Sequence, residues 1–265
     1  MLIRSVFFIV CLITLSACSA VKIQEPLPDD GTGYQVGYAE VLGRTSNIIQ
    51  HVNTSGTILY QQTKGGGGVA VGLLAGPIGT AANAALINKQ TKKDVAIIKD
   101  KLSVDPITLF TEAAQASGVP LNVPLARLSL SPYMRFAKSK DNSISLVSGV
   151  FVEDTQSKRR LPNSYELQVP QRFSLQEIAM LDEQEQAKLA DRLKTSYASI
   201  LNRIVSDRQA DLDSEEKFEF RTNALQFNES FKFSSKLIER TDDITWVRLP
   251  SGVLGIFNEF VKVDP

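Results

Sequence analysis

Residues 125–152, LARLSLSPYMRFAKSKDNSISLVSGVFV, contain the pattern that determines the class of fold. Their apolar side chains recur at alternate positions: Leu128, Leu130, Met134, Phe136, Ile144, Leu146, Val150 and Val152. A period of two indicates strands with one buried face and one solvent-exposed face. Residues 139–142, SKDN, are typical of a turn, so the pattern predicts an antiparallel hairpin. Pro132 has no N–H to donate and indicates a sheet edge or a bulge in the first strand.

Helical patterns lie before this hairpin. Val95, Ile98 and Leu102 fall at helical spacing within a lysine-rich stretch. Asp105 is then followed by Pro106, and this pair predicts the start of another helix, because aspartate caps a helix and proline suits its first position. That helix is expected to run to about residue 117 and to stop at the glycine that follows.

A longer helical pattern follows the hairpin. Ser174-Leu-Gln-Glu177 matches a capping box, and Asp182-Glu-Gln-Glu185 begins a second, longer helix. The apolar side chains of the longer helix share one face: Leu189, Leu193, Tyr197, Ile200, Leu201 and Ile204. Lys188, Arg192 and Arg203 are predicted to lie away from that face. The pattern therefore predicts one long amphipathic helix.

Short strand patterns occupy much of the remaining chain. They are predicted at Tyr34–Leu42, Thr57–Gln62, Ser164–Val169, Lys217–Arg221, Ser230–Ile238, Ile244–Leu249 and Val253–Phe257. Helices and strands are grouped and do not strictly alternate along the chain. This grouping predicts an α+β fold with a largely antiparallel sheet.

The stretch KGGGGVAVGLLAGPIG at residues 64–79 has an unusual composition for so polar a chain. A phosphate-binding loop requires a Gly-Lys pair followed by serine or threonine, but here Lys64 precedes the glycines. The dinucleotide pattern G-x-G-x-x-G fails as well, because alanine or valine stands at its last position. The spacing therefore excludes the common nucleotide-binding motifs.

Glycine recurs every fourth residue in this stretch, at Gly68, Gly72 and Gly76. If the stretch is helical, the three glycines share one face and let a second backbone approach closely. We expect a glycine/alanine-rich helical hairpin over Gly65–Ile87, broken at Pro77. The stretch resembles the glycine-zipper segments of bacterial envelope lipoproteins. Three roles stay open: packing on its own domain, contact with another subunit, and insertion into a membrane.

The first residues indicate where the protein functions. Arg4 is followed by an apolar run over residues 5–15, which has the length of a secretory signal and is short for a membrane span. Leu15-Ser16-Ala17-Cys18 resembles the lipobox of bacterial lipoproteins. That resemblance implies cleavage before Cys18, a diacylglycerol thioether on Cys18 and an acylated new N-terminus. Ser19 implies sorting to the outer membrane, where the protein would face the periplasm.

Composition restricts the partners and the stabilising bonds. The formal net charge is zero, so nothing favours nucleic acid as a partner. The two cysteines are Cys11, within the expected signal peptide, and Cys18, the expected lipid site. No disulfide is then available to the mature chain, although its compartment permits one. The membrane, reached through the lipid, and an envelope protein are the expected partners, and a homo-oligomer is possible.

Few residues point to catalysis. His51 is the single histidine, so no catalytic triad or zinc site has the residues it needs, and no metal or cofactor is predicted. The acidic run from Asp211 to Glu216 resembles a calcium loop faintly, but Glu216 stands where that loop has glycine. An envelope hydrolase that uses two carboxylates stays open as an alternative.

The sequence thus predicts four parts: a signal peptide at 1–17, a flexible tether at 18–33, a region with the glycine-rich hairpin at 34–120, and an α+β region at 121–265. The expected function is non-catalytic: an interaction or assembly module at the outer membrane. The alternative outside enzymology is a self-assembling or membrane-inserting component built on Gly65–Ile87.

Overall fold

The chain is α+β and is built on one mixed sheet of 11 strands. The structure is a computed structural model that describes residues 23–28, 33–46, 48–62, 85–139, 141–157, 163–208, 210–224, 232–250 and 252–263. The strands are β1 Tyr34–Val36, β2 Ile49–His51, β3 Ile58–Gln62, β4 Leu128–Lys138, β5 Ile144–Asp154, β6 Asn163–Phe173, β7 Glu216–Thr222, β8 Lys232–Arg240, β9 Ile244–Leu249, β10 Gly252–Phe257 and β11 Val261–Lys262.

The strand order is β11-β7-β8-β9-β10-β6-β5-β4-β3-β2, with β1 also paired to β4. The pairs β1–β4, β3–β4 and β6–β10 are parallel, and the other pairings of the described strands are antiparallel. The helices are α1, described over residues 85–98, α2 Pro106–Ala116, α3 Leu175–Ala179 and α4 Glu183–Asp207. Two short 3-10 helices lie at Glu40–Gly43 and Asn258–Phe260.

The predicted hairpin forms the centre of the sheet as β4 and β5. The two strands pair along their whole length, from Leu128 opposite Asp154 to Lys138 opposite Ile144. Asp141 stabilises the turn, since its carboxylate accepts from the Ser143 N–H at 3.0 Å. The predicted apolar face is confirmed, because its residues are buried in the main core. The predicted solvent-exposed face is wrong, because Ser131, Ser145 and Val147 of the opposite face are buried as well.

Pro132 lies in the middle of β4, but no backbone carbonyl of the described neighbouring strands is left without a donor by its missing N–H. The Met134 N–H donates to the Thr57 carbonyl, and the Gly37 N–H donates to the Leu130 carbonyl. The backbone of Pro132 therefore faces the same side, between the end of β1 and the start of β3. A gap between these two short strands makes β4 a local edge there, which is the physical reason that proline is tolerated.

The helices begin where their capping residues predict. The Asp105 carboxylate accepts from the backbone N–H of Thr108 at 3.2 Å, and Pro106 occupies the first helical position of α2. Ser174 and Glu177 form the reciprocal capping box of α3. Asp182 caps α4 by accepting from the Glu185 N–H at 2.8 Å. These local bonds satisfy the first N–H groups, which have no partner within the helix.

The long helix α4 buries the face that the sequence predicts. All six apolar residues of that face are buried in the main core. The prediction for Arg203 is wrong, because its side chain is only 8% exposed and donates to Glu239 at 3.0 Å. Arg203 lies with Ser196 and Asp207 on a polar row beside the apolar face, and all three residues are buried.

Two other local predictions differ from the structure. The strand expected over Tyr34–Leu42 ends at Val36, and a 3-10 helix follows. A Cβ placed on Gly37 would lie 2.2 Å from Ser129 Oγ, so the chain passes too close to β4 here for a residue with a side chain. The helix expected to include Leu102 is helical only to residue 98, since Asp100 adopts a φ of 60°.

The two faces of the sheet are covered by different elements. Helices α2 and α4 pack against each other and against β4, β5 and β6, and this helix face contains the main core. On the second face, Phe220 of β7 and Ala224 cluster with Ala137 and Val147 of the central hairpin. The β7 edge of the sheet therefore bends back over the second face. The irregular register between β8 and β9 near Leu237 accompanies this bend.

Candidate functional site

The sheet has two ends that differ in what is attached to them. We call the end where β4 and β6 begin the tether end, because residues 23–28 lie there. The opposite end, where β3 and β4 stop, is called the far end. Helices α2 and α4 both point their carboxyl termini at the tether end. This end is the candidate functional surface, since it receives the chain from the predicted lipid site.

Residues 23–28 belong to the segment that composition predicts to be a flexible tether, but they lie against the fold. The Gln24 N–H donates to the Leu249 carbonyl at 3.5 Å, and the Asn163 side chain donates to the Glu25 carbonyl at 3.5 Å. Leu27 is only 5% exposed and belongs to the main core. The packed chain therefore begins before Leu27, well inside the predicted tether.

A buried charge cluster receives this segment. We call it the Arg248 cluster, and its members are Arg248 of β9, Tyr165 of β6, Asp207 at the end of α4, and Glu215, which directly precedes β7. The Arg248 guanidinium donates to both carboxylates, to Glu215 at 2.6 Å and also to Asp207. Asp207 also accepts from the Tyr165 hydroxyl at 2.5 Å and from the Leu27 N–H at 3.3 Å. One carboxylate thus joins four separate parts of the chain.

The electrostatics fix the protonation of two members of this cluster, Tyr165 and Arg248. Burial raises the pKa of Tyr165 well above its usual value, and the negative charge of Asp207 raises it further. Burial alone would lower the pKa of Arg248, but its hydrogen bonds to Glu215 and Asp207 more than offset that effect, so the pKa is raised. Tyr165 stays neutral and Arg248 stays charged, so the hydrogen bonds that hold residues 23–28 against the fold are maintained.

Two clefts flank the same end. One, of about 450 Å³, lies between the carboxyl termini of α2 and α4, where the Arg208 guanidinium stands over the Tyr34 ring at 5.3 Å from its centroid. The other, of about 430 Å³, lies between residues 25–28 and the edge of β5 and β6. Arg127 donates twice to Asp154 there, at 2.9 and 2.6 Å, and this hydrogen bonding lowers the pKa of Asp154.

The loop that leads into β4 presents an exposed leucine at this end. Leu125 has 92% of its surface exposed and a φ of 61°. A left-handed backbone costs a residue with a side chain on the order of 1–2 kcal/mol. The loop is nevertheless held in place, because the Val123 N–H donates to the Tyr34 carbonyl and the Ala126 N–H donates to the Val123 carbonyl. Neither packing of Leu125 nor its backbone preference explains this arrangement.

A second buried charge cluster lies near the far end; we call it the Asp94 cluster. Asp94 of α1 accepts from Lys138 Nζ at 2.6 Å, from the Tyr60 hydroxyl at 2.7 Å and from Gln90 Nε2 at 2.7 Å. Beside it, Gln62 Nε2 donates to Thr91 Oγ1 at 2.8 Å. Burial and the Asp94 carboxylate raise the pKa of Tyr60. These bonds fix α1 to the ends of β3 and β4.

A third carboxylate lies on the second face of the sheet. Glu166 accepts from the Tyr133 hydroxyl at 2.5 Å and from Arg135 at 2.6 Å. The Tyr133 ring stacks on Phe151 with centroids 4.7 Å apart. Burial and the neighbouring Glu166 charge raise the pKa of Tyr133 well above its usual value. All three carboxylates thus share one arrangement, in which a tyrosine and a basic side chain donate to each.

The sequence-predicted site residues fall mostly outside the described residues. This holds for Cys18 and for Gly68, Gly72 and Gly76, and for all of the Gly65–Ile87 hairpin except residues 85–87. His51 is described, and its Nε2 lies 2.5 Å from the Leu42 carbonyl, to which it donates. The Asp211 run forms a turn in which the Asp211 carboxylate accepts from the Asp213 N–H.

Sequence reasoning missed the Arg248 cluster, although the sequence contains a signal for it. In the strand ITWVRL, Arg248 has the same parity as Trp246. Both side chains therefore point to one face, and Trp246 is buried there. A charged residue at a core position of a strand predicts a buried ion pair, but the alternation does not name its partners.

Comparison with family models, with curated proteins and with solved structures gives no match to this chain. None of the helices that the structure describes combines the length and the apolar character that crossing a bilayer requires. Across the described ranges, histidine, cysteine, aspartate and glutamate side chains form no group suited to a metal ion.

Proposed function

We propose that this chain is an outer-membrane lipoprotein that faces the periplasm and acts as a non-catalytic interaction or assembly module. The observation that supports anchoring is the order of features along the chain. Only five residues lie between the lipobox-like Leu15-Ser16-Ala17-Cys18 and Gln24, which already contacts the fold. A lipid on Cys18 would hold the folded domain at a membrane surface, stably so if the N-terminus carries a further acyl chain.

The use of the charged residues supports a non-catalytic role. Asp94, Asp207 and Glu166 each accept from a tyrosine and a basic side chain, and these bonds join distant parts of the chain. Carboxylates bound in this way stabilise packing and are poorly placed to exchange protons with a substrate. Ser19, directly after Cys18, supports export to the outer membrane through the resemblance to lipoproteins.

Metabolic labelling with radioactive palmitate tests the anchor. The wild-type protein should incorporate label, and Cys18→Ser should abolish it. Ser16→Ala, a change two residues before the cysteine that retains a small residue, is the matched control and should label like the wild type. Equal labelling of Cys18→Ser would overturn the proposal. Sucrose-gradient fractionation then tests the location, which should be the outer membrane.

A second role is proposed for the glycine-rich stretch. We propose that Gly65–Ile87 forms a helical hairpin in which the row Gly68, Gly72 and Gly76 contacts a second backbone closely. Its final residues support helical character, because residues 85–87 already belong to α1. Leu86, near its end, is 64% exposed and is therefore open to contact with another subunit.

Two substitutions in neighbouring positions test this hairpin. Gly72→Leu places a large side chain in the close contact and should cost about 1–3 kcal/mol or abolish an oligomer. Val71→Leu, off the glycine row, should be tolerated. Thermal unfolding reports a contact within one subunit, and chemical crosslinking reports a contact between subunits. Negligible effects of both substitutions in both measurements would contradict the close contact.

A further inference from the structure

The tether end must lie near the bilayer if the proposed lipid anchor exists, and the following inference rests on that proposal. Five residues separate Cys18 from Gln24, so the chain makes six Cα–Cα steps between the lipid and the fold. Fully extended, they reach about 20 Å. By contrast β4, with 11 residues, is about 35 Å long from the tether end to the far end. The anchor is therefore too short to reach the far end.

The same end presents the exposed apolar side chain of Leu125. Its loop is fixed to β1 by the bond from Val123 to Tyr34, so the side chain is held outward from the fold. Arg127, two residues later, lines the cleft that also contains residues 25–28. Leu125 and the incoming chain therefore share one end of the molecule. Strain in the backbone at Leu125 is a feature that such functional positions often show.

We propose that the tether end docks on the lipid bilayer and that Leu125 inserts at the boundary between headgroups and acyl chains. The occupant of this surface is a lipid bilayer, because the short anchor brings a bilayer within reach of it. An apolar side chain held outward beside an anchor gains free energy by entering that boundary. The two arginines at this end already have partners within the protein, because Arg127 is paired with Asp154 and Arg208 stacks on Tyr34. Among the described residues, Leu125 therefore makes the main contact with the bilayer.

The far end offers a matched comparison. Met180 follows α3, directly before α4, and is 80% exposed. It is therefore an exposed apolar side chain of similar size, but it lies at the end of the sheet that the anchor cannot reach. Docking at the tether end predicts lipid contact for Leu125 and no lipid contact for Met180.

Single reporters at these two positions test the proposal. Leu125→Cys and Met180→Cys are labelled with an environment-sensitive fluorophore in the full lipidated protein, in which Cys18 is the only other mature cysteine and its thiol is blocked by lipid. The proteins are reconstituted in phosphatidylcholine vesicles that contain spin-labelled lipid as a quencher. The fluorescence of the reporter at position 125 should be quenched. The fluorescence of the reporter at position 180 should be the same in vesicles with and without quencher.

The outcomes separate this inference from the proposed function. Normal palmitate labelling with no quenching at position 125 would overturn bilayer docking and leave the anchor intact. Equal quenching at both positions would also overturn it, because the molecule would then lie on its side. Loss of palmitate labelling in the wild type would overturn the anchor itself. A reporter at position 125 that is shielded in native outer membranes but not in vesicles would assign this surface to a protein.

Discussion

The two buried charge clusters hold different attachments to one sheet, and they do so with different chemistry. The Arg248 cluster holds residues 23–28 at the tether end, where one guanidinium binds two carboxylates. The Asp94 cluster holds α1 near the far end, where one ammonium group binds one carboxylate. In both clusters a tyrosine hydroxyl donates to the central aspartate.

The difference lies in how many charges each basic residue compensates. The planar fork of Arg248 serves Asp207 and Glu215 at once, whereas Lys138 acts as a point charge on Asp94. Each central aspartate also has a neutral donor besides its tyrosine, Gln90 for Asp94 and the Leu27 N–H for Asp207, so the number of carboxylates per cation is what differs. The Arg248 cluster therefore depends on a single residue more strongly than the Asp94 cluster does, and the variants below measure that difference.

Arg248→Met should have the largest effect. It leaves Asp207 and Glu215 buried without their cation and should lower the free energy of unfolding by about 3–5 kcal/mol. Urea denaturation monitored by circular dichroism measures this loss. Arg240→Met, on an exposed position of β8, is the control and should change stability by less than about 0.5 kcal/mol. An Arg248 variant as stable as that control would show that the cluster does not stabilise the fold.

Lys138→Met should have a smaller effect of the same kind. Only Asp94 loses its cation, and Tyr60 and Gln90 still donate to it, so we expect a loss of about 2–3 kcal/mol. Urea denaturation again gives the value, with Lys92→Met on the exposed side of α1 as the control. A loss as large as that of Arg248→Met would remove the proposed difference between the two clusters.

Tyr165→Phe and Tyr60→Phe should lower stability by similar amounts, because each removes one hydrogen bond to a charged carboxylate. We expect about 1.5–2 kcal/mol for each variant. Tyr38→Phe serves as the control, since Tyr38 is 47% exposed. The two losses are measured by thermal unfolding. If only one tyrosine matters, the clusters share their geometry but not their energetics.

High pH should lower the stability of the fold gradually, through the tyrosines of the two clusters and two further buried tyrosines. The pKa values of Tyr60, Tyr133, Tyr165 and Tyr197 are raised in the folded protein, so their contribution is complete below the unfolded-state value near 10. Above that pH the unfolded chain ionises first, and each tyrosine lowers stability by about 1.4 kcal/mol per pH unit. Denaturation at several alkaline pH values measures how steeply the free energy of unfolding falls with pH. Tyr165→Phe should reduce that slope by the contribution of one tyrosine, about 1.4 kcal/mol per pH unit. An unchanged slope in that variant would contradict the raised pKa of Tyr165.

Local patterns predicted the elements whose stability comes from nearby residues. The β4–β5 hairpin and α4 were predicted because alternation, helical spacing and capping residues lie within each element. The parallel pairs could not be predicted, because β6 and β10 meet only after α4 and three further strands intervene. The strand expected to continue to Leu42 ended at Val36, because Gly37 passes close to Ser129, a contact that no local pattern encodes.

The candidate site was less accessible to sequence reasoning than the fold. Composition indicated a tether, but it did not show that Leu27 enters the core, because one leucine between two prolines has no periodicity. Arg248 was detectable as a charge on a buried face. Its partners Asp207 and Glu215 were not, since they lie 41 and 33 residues away. Leu125 adopts a backbone conformation that is rare for leucine, so no sequence pattern predicted it.

The bond between Gln62 and Thr91 has a consequence for how the chain could change over time. It joins the strand that precedes residues 63–84 to the helix that follows them. The described parts of the chain on either side of residues 63–84 are therefore held together by the fold itself. The entropy of closing a chain between two fixed ends grows slowly, by about 0.6 kcal/mol for each doubling of its length. We therefore expect the sheet and α1 to tolerate changes in the number of residues between Gln62 and α1.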